Sequence, residues 1–261
     1  MTETTTPIVF LGPTLRPAAA AELCTFEFRP PAGMGDITRA VAKNPAAIIL
    51  IDGVFEDQPS VWHKEILFAL SKGIAVIGAS SMGALRAAEL SALGMTGYGA
   101  IYNAFADGQL NDDDEVAVVH GPAELNWPAL SDAMIDIRDF VAQAVLSKVL
   151  EIEDADHIIG HAKLQFFKFR SLDASLRSAL QNYRTNTEIE QISDWFAKRG
   201  PGVKERDCRE LLSNSTTIIK KAKSNLSRAP EFIPTIYLRR LEKFGFARAP
   251  KKFAAINRKR S

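Results

Sequence analysis

The chain has 261 residues, 46% of them hydrophobic, enough for a sizeable buried core in one large domain or two small ones. Lys and Arg outnumber Asp and Glu by 32 to 31, a balance that points to neither nucleic acid nor membrane. No apolar run approaches the length of a membrane span, residues 1–7 are short and polar, and the two cysteines, Cys24 and Cys208, stand far apart. A cytoplasmic protein with no metal-binding thiol cluster is therefore expected.

Residues 7–11 read as a first strand, closed by Gly12, Pro13 and Thr14. An Ala-rich helix is expected over 16–23, a second strand over 24–28, and a short helix with an acidic start over 36–43. The apolar run 46–51 is a third strand, followed by a helix from residue 59 or 60 to 71 and a fourth strand over 74–77. A helix from Met82 to about Leu93 follows. Residues 94–108 are glycine-rich and partly helical, and 116–119 read as a last strand. This β-α-β-α order predicts the α/β class, with a parallel sheet, and the unbroken apolar strands predict burial of that sheet on both faces. Beyond residue 125 only helical patterns occur, over 129–149, 153–165, 171–183, 186–198, 203–223 and 234–244. The expected organisation is an α/β core over 1–125 carrying the site and a helical region over 126–261. The end is basic, with nine Lys or Arg from Arg239 to Ser261, and is suited to solvation or to holding an acidic partner.

The most informative stretch is Gly78-Ala79-Ser80-Ser81-Met82-Gly83-Ala84-Leu85-Arg86, where a buried strand turns into a helix. Ala79-x-Ser81-x-Gly83 is one small residue away from the G-x-S-x-G nucleophile elbow, and N–H groups near Met82 and Gly83 at the helix start suit an oxyanion. Helix capping by serine and anion binding are competing readings of the same residues. Sites in open parallel sheets form at the carboxyl edge of the strands, which brings Gly12, Thr14, Asp52, Gly53, Ser80 and Ser81 to one crevice. A serine nucleophile needs a base. Lys64, with apolar Val61, Ile66 and Leu67 around it and Arg86 as a nearby cation, is one candidate, and His120, after the last expected strand, is the other. The run Asp112-Asp113-Asp114-Glu115 suits a magnesium site, a solvated loop or a docking surface for a basic partner. His157 and His161 have metal-compatible spacing without a third ligand. No cofactor is expected.

Several blocks together resemble the TfuA-like proteins: Gly12-Pro13-Thr14, Asp52-Gly53 with Phe55, Pro59 to Leu67, Gly78 to Leu90, Asp112 to Ala117, and His120-Gly121-Pro122. The resemblance spans roughly residues 7–140. It implies a partner of a YcaO enzyme in backbone thioamidation of ribosomally made peptides or proteins. The implied activity is hydrolysis of the C-terminal thiocarboxylate of a ThiS-like, ubiquitin-fold sulfur carrier, which releases sulfide. The implied partners are YcaO, the carrier and the precursor peptide. The implied site is a serine-lysine pair, carried by position onto Ser81 and Lys64, with Ser80 as the alternative nucleophile. The competing function is a non-catalytic adaptor that recruits substrate or carrier to YcaO.

Overall fold

The computed structural model describes residues 5–55, 59–233 and 236. Its core is a five-stranded, wholly parallel sheet of order β2-β1-β3-β4-β5. The strands are β1 (Ile8–Phe10), β2 (Glu27–Arg29), β3 (Ile48–Leu50), β4 (Val76–Ala79) and β5 (Thr96–Tyr98). The register aligns Phe10 with Leu50 and Leu50 with Gly78. The α/β class read from the sequence is the one observed. β1, β3 and β4 are buried at every position, as their unbroken apolar runs require.

Helices α2 (Asp36–Val41), α3 (His63–Ser71) and α4 (Met82–Leu90) cover one face, through Ile37, Ile66, Leu70, Met82, Ala87 and Leu90 against Ile8, Phe10, Ile48, Leu50 and Val76. The other face carries α1 (Pro17–Ala21) together with α10 (Val203–Ser213) and α11 (Ser215–Asn225). Cys208, Leu211, Leu212, Ile218 and Ala222 of these last two helices pack on Val9, Leu11, Ile49, Ile51 and Ile77. The carboxyl-terminal part of the chain thus completes the sheet's burial. Between them, α6 (Met134–Leu146), α7 (Ile152–Leu164), α8 (Leu172–Leu180) and α9 (Asn186–Ala197) form a helical layer around their own core of Ile137, Val141, Ile158, Leu176, Ile189 and Phe196.

Two readings of the sequence need correction. Residues 116–119 form no strand; a 3-10 turn (Asp113–Glu115) leads into an extended loop in which His120 makes a single bridge to Ala129. The last strand is instead β5, hidden in the stretch read as glycine-rich, and followed by α5 (Ala100–Ala106). Gly97 of that strand is a packing requirement, because a Cβ there would collide with the ring of Tyr102. The helix expected over 234–244 and the basic end lie outside the described residues.

Candidate functional site

The turn from β4 into α4 is built from a close backbone approach. A Cβ on Gly83 would run into the carbonyl of Leu50, and one on Gly78 into the carbonyl of Gly83. Only glycines let α4 lie this tightly on β3 and β4, which forces the chain between them into a sharp bend. Ser81 N–H donates to Ala79 O at 2.7 Å, closing a three-residue γ-turn around Ser80, whose φ is +67°. This turn is of the rare, strained kind, and a non-glycine residue held in it costs about 1–3 kcal/mol. Ser80 is fully buried, and its Oγ has no hydrogen-bond partner. A buried hydroxyl left unbonded costs a further ~1–3 kcal/mol. Strain and an orphaned hydroxyl at the same residue set Ser80 apart from Ser81, the position the sequence motif suggested.

Ser81, the residue before α4, is 2% exposed, and its Oγ donates to Val116 O at 3.4 Å. The same carbonyl accepts from Lys204 Nζ at 2.8 Å. Lys204 lies in the first turn of α10 and is 4% exposed. Burial pulls its ammonium below the usual lysine range, and the negative charges of Asp52 and Asp136 only partly oppose that. Asp136 also accepts from the backbone N–H of Lys204 at 3.0 Å and so fixes the start of α10. A buried lysine with a lowered pKa thus meets Ser81, the neighbour of the strained Ser80, on one carbonyl oxygen. Sequence reasoning missed Lys204.

Asp52 follows β3 and is 1% exposed. Its Oδ2 accepts from the N–H of Gly12 at 2.8 Å and of Thr14 at 3.0 Å, and its Oδ1 from Thr14 Oγ1 at 2.6 Å. The carboxylate thereby ties the loop after β1 to the end of β3. Gly53 lies against Met82, whose sulfur leaves no room for a Cβ. Gly12, Thr14, Asp52, Gly53, Ser80, Ser81 and Met82 are therefore assembled at one carboxyl edge.

The other expected residues stand apart. Lys64 is exposed at the second position of α3. Arg86 donates to Val61 O at 3.2 Å and pairs with Glu89 at 2.7 Å; Glu89 also bonds His63. His120 Nδ1 lies 2.9 Å from Gly121 O. Gly83 N–H donates to Ile51 O at 3.1 Å and is not available to an oxyanion. Met82, at the first position of α4, has by that position no intrahelical acceptor.

The acidic run is answered by cations. Glu115, 3% exposed, receives Arg138 on both oxygens at 3.0 Å and Lys163 at 2.9 Å. Asp114 receives Lys163 and the buried Arg170, the latter at 2.6 Å, and Asp112 pairs with Lys163 at 3.0 Å. Burial works to lower the Lys163 pKa, but hydrogen bonds to the three carboxylates outweigh it and raise the value. The centre of the cluster is thus occupied by a lysine ammonium. Its mechanical effect is to clamp the segment that carries Val116 over the serines. Among the described residues, no helix is long and apolar enough to cross a membrane.

No curated protein matches the chain. Residues 52–171 match the family described as TfuA-like protein; that span contains Asp52, the elbow and the clamped acidic run, but not Lys204.

Proposed function

We propose, from the match of residues 52–171 to the TfuA-like protein family, that the chain hydrolyses the C-terminal thiocarboxylate of a ThiS-like carrier and delivers sulfide to a YcaO enzyme for backbone thioamidation. The observation that carries this reading is the meeting of Ser81 Oγ and Lys204 Nζ on the carbonyl of Val116, beside the strained and unbonded Ser80. Ser80 Oγ attacks the thiocarboxylate carbon while its proton passes to the neutral Lys204 amine, with Ser81 on the amine's own acceptor. The carbon–sulfur bond breaks, the lysine ammonium returns its proton to the departing sulfide, and water then cleaves the ester to free the carrier carboxylate. Met82 N–H, at the positive end of α4, is the donor for the oxyanion; one such donor lowers a barrier by about 3–4 kcal/mol. The Val116 carbonyl must move aside for the substrate, because both serines are covered.

That burial also favours a second reading, an adaptor that holds the carrier or peptide for YcaO and performs no chemistry itself. The test is sulfide release from thiocarboxylated carrier by this protein alone. Release at a rate well above that of the carrier in buffer supports the hydrolase, and its absence, with carrier still bound, supports the adaptor.

A further inference from the structure

A groove of about 360 Å³ opens at the same carboxyl edge, beside the loop after β1. Its walls include Thr14, Arg16, Trp127, Glu205 and Arg209. Three features mark it as more than a surface crease. First, the strand order reverses between β1 and β3, the place where open parallel sheets hold ligands. Second, the groove is cationic and partly unanswered. Arg16 is exposed, and among the described residues its guanidinium makes no hydrogen bond or ion pair. Arg209 gives its Nε–H to Glu205 at 2.7 Å, which cancels one charge and leaves the groove net positive. Third, Trp127 sits at the rim with φ +50°, after Asn126 at +59°, so the backbone is held in the left-handed region for two successive residues to place this ring. Gly12 lies directly beneath: a Cβ there would stand 3.2 Å from Trp127 Cβ and 2.7 Å from Pro31 Cγ.

The groove is in line with the serines. Phe10, Leu50 and Gly78 are aligned, Gly12, Asp52 and Ser80 each follow two residues later, and Asp52 Oδ2 accepts from the Gly12 N–H at 2.8 Å. Neighbouring strands are about 4.8 Å apart, so Gly12 is roughly 10 Å from Ser80. An extended peptide advances about 3.4 Å per residue, so a chain whose terminal carbonyl reaches Ser80 has its third or fourth residue from the end in the groove. Glu205, in the groove wall, also follows Lys204 directly in α10. A second cavity of about 440 Å³ near Phe55 and Phe167 offers no such anion site, because its cation, Lys163, is already held by three carboxylates.

The geometry points to this groove as the track for the extended C-terminal segment of the carrier protein, with backbone carbonyls of that segment accepting from Arg16 and its backbone running along Trp127. This rests on the hydrolase reading for the destination of the tail, but tail binding can be measured without any reaction. The probe is a synthetic peptide of the carrier's last eight residues, ending in an ordinary carboxylate, titrated into the full-length protein while tryptophan emission is followed.

The expected result is an emission change that vanishes in Trp127→Phe, and an affinity that falls about tenfold or more in Arg16→Glu, with the loss shrinking as salt is raised. Arg16→Ala is expected to raise KM for thiocarboxylated carrier and leave kcat unchanged. Wild-type affinity in Arg16→Glu, or an emission change that persists in Trp127→Phe, overturns the groove even if sulfide is released normally. Groove-dependent peptide binding in a protein that releases no sulfide upholds the groove and removes the hydrolase reading instead.

Discussion

Lys204 Nζ and Ser81 Oγ donate to one and the same carbonyl oxygen, that of Val116, at 2.8 and 3.4 Å. The two residues are brought together from distant parts of the chain, one from the head of α10 and one from the head of α4. The carbonyl between them belongs to a segment clamped by Arg138, Lys163 and Arg170. The lysine, the Ser81 hydroxyl and the covering carbonyl are one connected unit.

Lys204→Met is expected to abolish sulfide release and to leave the fold intact. Lys204→Arg should fail as badly, since a guanidinium stays protonated at any usable pH. Lys64→Ala should keep wild-type rates. In the native enzyme, activity should rise with pH as Lys204 loses its proton, because only the neutral amine accepts one.

The same lysine predicts a stability profile. Its folded pKa lies below the unfolded value of 10.5, because burial penalises the ammonium. Between those values the unfolded chain binds the extra proton, so this contribution to stability grows as pH rises through the window and is smallest below it. Denaturant unfolding of Lys204→Met should show a flatter profile and, near neutral pH, higher stability than the native protein.

Glu65 shows the opposite slope. Burial pushes its carboxyl up to about 7, against the hydrogen bonds it receives from backbone N–H groups, while the unfolded value is 4.5. The folded chain keeps a proton that the unfolded chain has released, so stability is fully present below 4.5 and is lost as pH rises through 7. Glu65→Gln should remove this fall, making the variant more stable than the native protein by up to about 3 kcal/mol above pH ~8. Urea melts of both proteins at pH ~5 and ~8 measure it; parallel profiles would show that Glu65 does not titrate in this window.

Glycine substitutions separate packing from flexibility. Gly83→Ala places a methyl against the Leu50 carbonyl and should cost about 3 kcal/mol or more, whereas Gly160→Ala, in the middle of α7 with open space around it, should gain about 0.5–1 kcal/mol. Thermal melts of the two variants give the comparison directly.

The sheet was legible because its strands are short, unbroken apolar runs between turn residues, and β1, β3 and β4 overlap the stretches marked by that pattern. β5 was not, since Thr96–Tyr98 holds a glycine that serves the Tyr102 ring rather than a strand propensity. Residues 116–119 carry a β-branched pattern but follow a turn whose Asp114 and Glu115 are held by ion pairs from α6, α7 and the turn before α8, which no local pattern reveals. The strand-to-helix turn was visible as small residues, but its strained residue was not: that Ser80 takes the left-handed conformation is a single φ. Lys204 left one faint trace. It shares a helical face with Cys208 and Leu211, a buried stripe where a lysine is out of place. That Lys64 is exposed on α3 while Lys204 is buried in α10 is not legible locally, because it depends on the helices beyond residue 200 returning to the sheet.

The most direct test of the serine-lysine account is the rate of sulfide release from thiocarboxylated carrier, measured for the native protein, Ser80→Ala and Ser81→Ala in the absence of YcaO. The account predicts release by the native protein, none above background for Ser80→Ala, and a reduced but measurable rate for Ser81→Ala, all three unfolding cooperatively at similar temperatures. Undiminished release by Ser80→Ala would contradict it.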